Sequence, residues 1–266
     1  MTQPLYSSSD RARDLILGRL AQIETDHSVE IVFAVESGSR AWGFSSEDSD
    51  WDVRFVYRRR PEEYLRLIKS PDTIGKSVKG ALYDVHGWDV GKALLLGLKS
   101  NATLLEWTQS PVIYRWSSPA DDLKRCLSRV AERKGLVYNY YNLARTSVDE
   151  IAAAQTPKMK TYLYGLRAAL ALRYMRMYQG LPPMNITELM EGAELSEILR
   201  EPLLEMIAKK SSGQEHTLTN RKPVLDTFLA DETELAGATK PERSQVVSDE
   251  KLLAQAENLY RQVVGF

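Results

Sequence analysis

The chain has 266 residues, and its 35 Lys and Arg residues nearly balance 36 Asp and Glu residues, so the formal net charge is −1 at pH 7. This balance excludes a globally basic surface, and any contact with RNA or DNA would need a local basic patch. The length allows one large domain or two modest ones, and the single cysteine, Cys126, excludes an intrachain disulfide and a multi-cysteine zinc site.

The start of the chain predicts a helix and then a buried strand. Residues 1–10 are polar, unlike a signal peptide, and no run of about 18 apolar residues predicts a membrane span. We therefore expect a cytoplasmic protein with no membrane partner. Apolar residues recur on one helical face over 11–25. Residues 29–35, which include the apolar run 31–35, predict a central strand because both of its faces would be buried.

Carboxylates mark a second predicted strand, 51–57. Asp50 and Asp52 are two residues apart, so their side chains would point the same way, with Cα atoms roughly 7 Å apart. Such a pair suits Mg²⁺, which prefers oxygen ligands. Two such ions, about 3.5–4 Å apart, can stabilise both the attacking and the leaving oxygen of a phosphoryl transfer. Arg54 shares this face, where it would neutralise or orient the carboxylates or hold a phosphate.

A Gly-Ser turn precedes these carboxylates. Gly38 would let the backbone approach a polyphosphate closely, because glycine has no Cβ atom. If Ser39 opens a short helix, its free N–H groups would face that anion. The sequence thus predicts a phosphate-sized turn between the first two strands.

A basic run, 58–60, follows the second strand and consists of three arginines. It is either a solvated turn, which is the commoner case, or a contact for polynucleotide phosphates. A short helix is predicted over 61–69, because proline suits the first helical position. Residues 71–80 are predicted to form a loop.

A third strand is predicted over 81–88. Asp84 and His86 would share one face of it. His86 is interpreted as a base, a substrate contact or an ordinary strand histidine. Asp89 directly precedes a helical stretch, 90–99, which is typical of an N-cap residue.

After about residue 117 the sequence shows almost no strand pattern. Helices are predicted near 119–133, 135–155, 158–179, 195–210, 222–236 and 248–264. Within the third of these, Lys160 and Arg167 are seven residues apart and would stand on one face. That face would either hold a triphosphate or be an ordinary solvated face. We therefore expect an α+β protein with a strand-containing domain over 1–117 and an all-helical domain over 118–266.

Several of these motifs together resemble a known family. Gly38-Ser39, followed a dozen residues later by Asp-x-Asp in an apolar strand, resembles the signature of the DNA polymerase β-like nucleotidyltransferase superfamily. The fuller strings 38–43 and 48–54 are more similar to the YcgL/RlaP-type predicted nucleotidyltransferases, which are linked to RNA repair. Further matches lie at 87–89, 100–101, 105–107, 110–111 and 162–167, and the resemblance runs from about residue 29 to 183.

This resemblance implies a fold and a site. The fold would be an N-terminal polymerase β-like mixed sheet with flanking helices, followed by a helical domain. A third carboxylate would stand on a strand beside the first two; we choose Asp84, and Asp89 competes for the role. The implied catalytic and metal-binding residues are Asp50, Asp52 and Asp84. The implied nucleotide-binding residues are Gly38, Ser39, Arg40, Arg54, Lys160 and Arg167. Further candidates are His86, Asp89 and Tyr162.

The resemblance also implies an activity. The protein would be a metal-dependent nucleotidyltransferase of EC class 2.7.7, using two Mg²⁺ ions, with Mn²⁺ as the alternative ion. It would transfer a nucleoside monophosphate from an NTP, expected to be ATP, to a hydroxyl of RNA (a tRNA or an RNA end), and pyrophosphate would leave. The alternatives are a protein AMP transferase of antitoxin type, a small-molecule acceptor, a non-catalytic nucleotide- or RNA-binding module, and a toxin–antitoxin or scaffold partner. The sequence leaves the oligomeric state open.

Overall fold

We analysed a computed structural model of the chain, in which residues 8–75, 83–213, 218–239, 241–243 and 249–266 are described. The elements in chain order are α1 (Ser8–His27), β1 (Val29–Ser37), α2 (Gly38–Trp42), β2 (Trp51–Arg59), α3 (Pro61–Tyr64), β3 (Thr73–Gly75), β4 (Tyr83–Asp89), α4 (Val90–Leu98), α5 (Ala102–Trp107), β5 (Ile113–Trp116), α6 (Ser118–Val130), α7 (Arg133–Ala153), α8 (Met159–Met177), α9 (Ile186–Gly192), α10 (Glu197–Ser211), α11 (Pro223–Ala238) and α12 (Glu250–Val264).

The strands of the described residues form one five-stranded sheet in the order β3-β4-β2-β1-β5. β2 and β4 run parallel, whereas β1 is antiparallel to both β2 and β5, and β3 is antiparallel to β4. The sheet is therefore mixed, with flanking helices and a helical C-terminal half, and the predicted α+β class is confirmed.

Apolar side chains cover both faces of the sheet. On one face, α1 packs its buried residues Ile16, Leu20 and Ile23 against the strands. On the other face, a continuous core includes Phe33 of β1 and Leu166 of α8. This core spans both sides of residue 117, and the division into domains at 117 stays a prediction.

Several short elements differ from the sequence-based prediction. The helix predicted over 61–69 ends at Tyr64. The three apolar residues that follow α3 in this stretch, Leu65, Leu67 and Ile68, are strongly exposed, and a short helix without a buried face is marginal in water.

Three elements were not predicted. β3, inside the predicted loop 71–80, and β5 are short edge strands of three and four residues, and α9 is a seven-residue helix. Such short segments carry too few periods for a pattern to be detected.

Residues 76–82, which include the predicted start of the third strand, lie outside the described residues. Within the described ranges, no helix combines the length and the apolar character needed to cross a membrane.

Candidate active site

The turn between β1 and α2 brings the backbone against a carboxylate. Gly38 has a φ of +61°, and a Cβ atom built on it would lie 2.0 Å from Oδ2 of Asp52. A side chain at this position would therefore meet both backbone strain and a steric clash. The predicted short helix is present, although it begins at Gly38 and not at Ser39, which is half-buried.

Two carboxylates face each other across the parallel strands. Asp52 of β2 is the register partner of Asp84 of β4. Nη2 of Arg54 donates to Oδ1 of Asp52 at 3.1 Å and to Oδ2 of Asp84 at 2.9 Å. The three side chains are only 31%, 28% and 19% exposed for Asp52, Asp84 and Arg54 respectively. The structure brings Asp52, Arg54 and Asp84 together through the contacts of Arg54 with both carboxylates, and their catalytic and metal-binding roles stay predictions.

Asp50 differs from its neighbour in the same motif. It precedes the first residue of β2 and is exposed, whereas Asp52 is half-buried within the strand. The strand begins at Trp51, as predicted, so Asp50 lies directly before it. The charge of Asp50 acts on the Asp52 carboxyl group, so the two side chains are near each other, and their shared role in binding a metal stays a prediction.

His86 extends the polar face along β4. It is the register partner of Arg54, and its Nε2 lies 3.1 Å from Oδ1 of Asp84. His86 thus contacts a candidate metal ligand and lies at the margin of the carboxylate pair.

A buried carboxyl group accepts a hydrogen bond from the backbone of Asp52. Glu36, near the end of β1, is fully buried and accepts a hydrogen bond from the backbone N–H of Asp52 at 2.7 Å and another from the hydroxyl of Tyr114. Burial raises the pKa of Glu36 to about 7. Burial also raises the pKa of Asp52, while Arg54 lowers it. Glu36 was not among the residues predicted from the sequence; the available signal was a single acidic residue near the end of a strongly apolar strand.

Asp52 lines a cavity of about 500 Å³, which is within the usual range for a small-molecule site. Residues from the sheet end and from the helices α2, α5, α7 and α8 line it. They are Ser37, Gly38, Trp42, Asp52, Arg54, Ala102, Thr103, Glu106, Asn139, Tyr140, Leu143, Tyr164 and Arg167. The cavity therefore lies between the sheet and the helical half of the chain.

Arg167 lies in the wall of this cavity, but its charge is paired. Its side chain is 4% exposed, and Nη2 lies 2.8 Å from Oε1 of Glu106. The same oxygen accepts a hydrogen bond from Tyr140, and the guanidinium stacks 4.6 Å from the Trp42 ring. Lys160, by contrast, is exposed, and its charge lowers the pKa of Asp52. The two predicted basic residues therefore differ in exposure, and their common contact with a nucleotide stays a prediction.

Arg40 is occupied by structural contacts. Its guanidinium donates to the backbone carbonyls of Glu47 and Ser49 at 3.2 and 2.6 Å and stacks 3.9 Å from the Trp51 ring. Arg40 thus fastens the connection between α2 and β2. The predicted contact of Arg40 with the nucleotide stays a prediction.

Two further candidates lie elsewhere. Tyr162 is buried against the helical core and donates to Asp226 of α11. Asp89 caps α4 by accepting from the N–H of Gly91 at 2.9 Å, and it also accepts from Tyr64 at 3.0 Å. The geometry therefore favours Asp84, and not Asp89, as the third carboxylate.

The basic run 58–60 lies at the opposite end of β2, beside a second cavity of about 570 Å³. Arg58 donates to the carbonyl of Val263 in the last turn of α12 and pairs with Glu30. Arg59 donates to the carbonyl of His27 at the end of α1. These arginines satisfy helix C-terminal carbonyls, so two of the three are structural and neither is simply solvated.

The side chains of the site can be compared with the ligands that a divalent ion requires. The described residues contain no group of three or more His, Cys, Asp or Glu side chains placed to hold a metal. Mg²⁺, however, is usually bound by one or two carboxylates together with waters and substrate phosphates. Asp52 and Asp84 supply such a pair beside the Gly38 turn. The residues present therefore fit Mg²⁺ held together with a phosphate ligand.

Comparisons with known proteins agree with the motifs. The chain is 36% identical over 239 residues to the uncharacterized protein YcgL of Bacillus subtilis (strain 168), covering 88% of this chain and 92% of that relative. A crystal structure of a nucleotidyltransferase-like protein from Exiguobacterium sibiricum 255-15 aligns with 93% of this chain and 79% of its own, at 11% identity and a TM-score of 0.31. That structural similarity is too distant to bear on the function.

A family model also matches the chain. Residues 12–262 match the model described as RlaP, the RNA repair pathway DNA polymerase beta family. This match spans nearly the whole chain, including the Gly38 turn, the carboxylate pair and the helical half. The chain therefore belongs to the RlaP family of polymerase β-like nucleotidyltransferases, which is linked to RNA repair.

Proposed function

We propose that the protein transfers a nucleoside monophosphate from an NTP to a hydroxyl group of RNA and releases pyrophosphate. One observation carries the proposal: Asp52 and Asp84 face each other on adjacent strands, and Asp52 lies beside the Gly38 turn in the wall of a cavity of about 500 Å³. Membership of a nucleotidyltransferase family linked to RNA repair supports both the reaction class and the acceptor.

The parts of the site have distinct roles in this proposal. The backbone at Gly38 would approach the phosphates, since no side chain intervenes there. Asp52 and Asp84 would hold Mg²⁺, and Asp50, directly before the start of β2, would contribute a further carboxylate. When bound, Mg²⁺ supplies charge neutralisation at the attacking and leaving oxygens. ATP is the expected nucleotide, and Mn²⁺ is the alternative ion.

The chemistry is one in-line substitution at the α-phosphorus. The acceptor oxygen forms a bond to phosphorus, the bond to the bridging α–β oxygen breaks, and pyrophosphate takes that electron pair. The hydroxyl proton passes to a carboxylate of the Asp52–Asp84 pair or to solvent. Positioning and electrostatic stabilisation supply most of the rate in such reactions.

The experiment is a transfer assay with α-labelled ATP, total RNA and Mg²⁺, with EDTA as the metal-free control. We expect metal-dependent pyrophosphate release and label that RNase removes and protease does not. Asp52→Asn should abolish transfer, whereas Asp149→Asn, which removes an exposed carboxylate of α7, should retain it. If protease removes the label and RNase does not, the acceptor is a protein and not RNA. Nucleotide binding without any pyrophosphate release would refute the catalytic proposal.

A further inference from the structure

The space between the two candidate metal ligands is filled by a positive charge of the chain itself. A single nitrogen, Nη2 of Arg54, contacts Asp52 at 3.1 Å and Asp84 at 2.9 Å. A guanidinium that bridges two carboxylates in this way makes two charge-assisted hydrogen bonds, the stronger kind in proteins. The pair is therefore already neutralised in part by an internal cation.

Arg54 is also held by the backbone. Its Nη1 donates to the carbonyl of Val53 at 3.0 Å and to that of Asp84 at 3.2 Å. Both terminal nitrogens are hydrogen-bonded and only 19% of the side chain is exposed, so the guanidinium is firmly held in this position. Moving the guanidinium away requires new acceptors that replace four contacts.

A divalent ion and this guanidinium cannot share the same position. The two carboxylate oxygens lie at most about 6 Å apart, because both are within 3.1 Å of the same nitrogen. Oxygens bound to one Mg²⁺ lie about 2.0–2.1 Å from it, so they are no more than about 4.2 Å apart. Because Nη2 contacts both of these oxygens, a free ion held by the two of them would have to displace Arg54, and it would give up part of its own hydration.

An arriving nucleotide changes this balance. Its phosphates offer the planar guanidinium bidentate acceptors. Their negative charge is large enough to balance the positive charges of both Arg54 and a divalent ion. Arg54 lines the same cavity as Gly38 and Asp52, so the phosphates would arrive within its reach.

We propose that Arg54 acts as a resident cation that keeps free divalent metal out of the Asp52–Asp84 pair and moves to the phosphates when the nucleotide binds. The site thus accepts its metal as a metal–nucleotide chelate, with Arg54 as the positioning residue that determines this order. The proposal rests on the proposed function, because it needs a polyphosphate substrate.

The test is a Mn²⁺ titration followed by electron paramagnetic resonance, without nucleotide and then with a non-hydrolysable α,β-methylene ATP. Without nucleotide, Arg54→Gln should bind Mn²⁺ about tenfold more tightly than the wild type, because one charge-assisted contact is worth roughly 1.4 kcal/mol or more. With the analogue the order should reverse, and the variant should bind the chelate about tenfold more weakly. Arg60→Gln, which removes an exposed arginine outside the cavity, should match the wild type in both titrations.

Two other results with folded Arg54→Gln would decide against the proposal. Free Mn²⁺ affinity that is unchanged or lower in Arg54→Gln would overturn it, while leaving the proposed function intact if the chelate still binds. Absence of Mn²⁺ binding even with the analogue would overturn both. If thermal denaturation shows that Arg54→Gln is unfolded, Arg54→Lys decides, since lysine keeps the charge but lacks the fork. Tighter free Mn²⁺ binding by Arg54→Lys supports the proposal, and equal or weaker binding overturns it.

Discussion

Gly38 lies so close to Asp52 that a Cβ atom on the glycine would stand 2.0 Å from the carboxylate oxygen Oδ2. Gly38→Ala should therefore displace the Asp52 side chain and also strain a left-handed backbone, at a cost of about 1–2 kcal/mol. We expect at least a tenfold loss of transfer activity, an estimate equivalent to roughly 1.4 kcal/mol of lost transition-state stabilisation. Steady-state kinetics with labelled ATP measures this loss.

The matched control for that prediction is Gly18→Ala. Gly18 lies on the exposed side of α1, and an added Cβ would meet no atom within 4 Å. Alanine in a helix interior is favoured over glycine by roughly 1 kcal/mol, so this variant should melt at a higher temperature with unchanged activity. Equal activity in both variants would show that the approach of Gly38 to Asp52 has no catalytic role.

Asp84 and Asp89 can be distinguished by the same substitution. Asp84→Asn removes a charge opposite Asp52 and should lower activity by two orders of magnitude or more, on the order of 3 kcal/mol. Asp89→Asn should retain activity, because asparagine also caps helices and Asp89 lies at the start of α4. Activity assays paired with circular dichroism test this assignment. The reverse pattern would assign the third carboxylate to Asp89.

The buried Arg167–Glu106 pair should contribute strongly to stability when only one partner is removed. Arg167→Met leaves Glu106 as an uncompensated buried charge, which should lower the free energy of unfolding by about 3–5 kcal/mol. Adding Glu106→Gln should restore much of that loss. Urea denaturation measures both values. The exposed pair Arg261–Glu257 is the control, and Glu257→Gln should change stability very little.

Glu36 should make the stability of the metal-free protein depend on pH. Burial raises its pKa from 4.5 to about 7, so the folded state holds a proton that the unfolded state loses between those values. The free energy of unfolding should therefore fall as pH rises through this window. Glu36→Gln removes this titration, because a glutamine side chain stays neutral and still accepts from the N–H of Asp52.

Urea denaturation in EDTA at pH 5 and pH 8 tests the role of Glu36. At pH 5 the variant and the wild type should have similar stability. At pH 8 the variant should be more stable by an amount on the order of 2–3 kcal/mol. A stability difference that is the same at both pH values would contradict a raised pKa for Glu36.

The sequence alone predicted which side chains share the polar strand faces because its signals are local. Two-residue spacing placed Asp52 with Arg54 and Asp84 with His86 on strand faces, and the structure has these pairs on β2 and β4. The Gly-Ser turn similarly follows from backbone sterics at one position. Wherever neighbours in sequence are also neighbours in space, periodicity was a sufficient guide.

Tertiary packing decided what each charged side chain does. Arg167 pairs with Glu106, 61 positions away, and Arg58 caps a helix that begins only at Glu250. Spacing within one helix or strand cannot reveal such partners, since they depend on which elements pack together. The sequence by itself therefore determined the family, the carboxylates and the glycine turn. Only the fold determined which arginine side chains are paired with acceptors within the chain. A buried guanidinium loses its hydrogen bonds to water and therefore needs such partners.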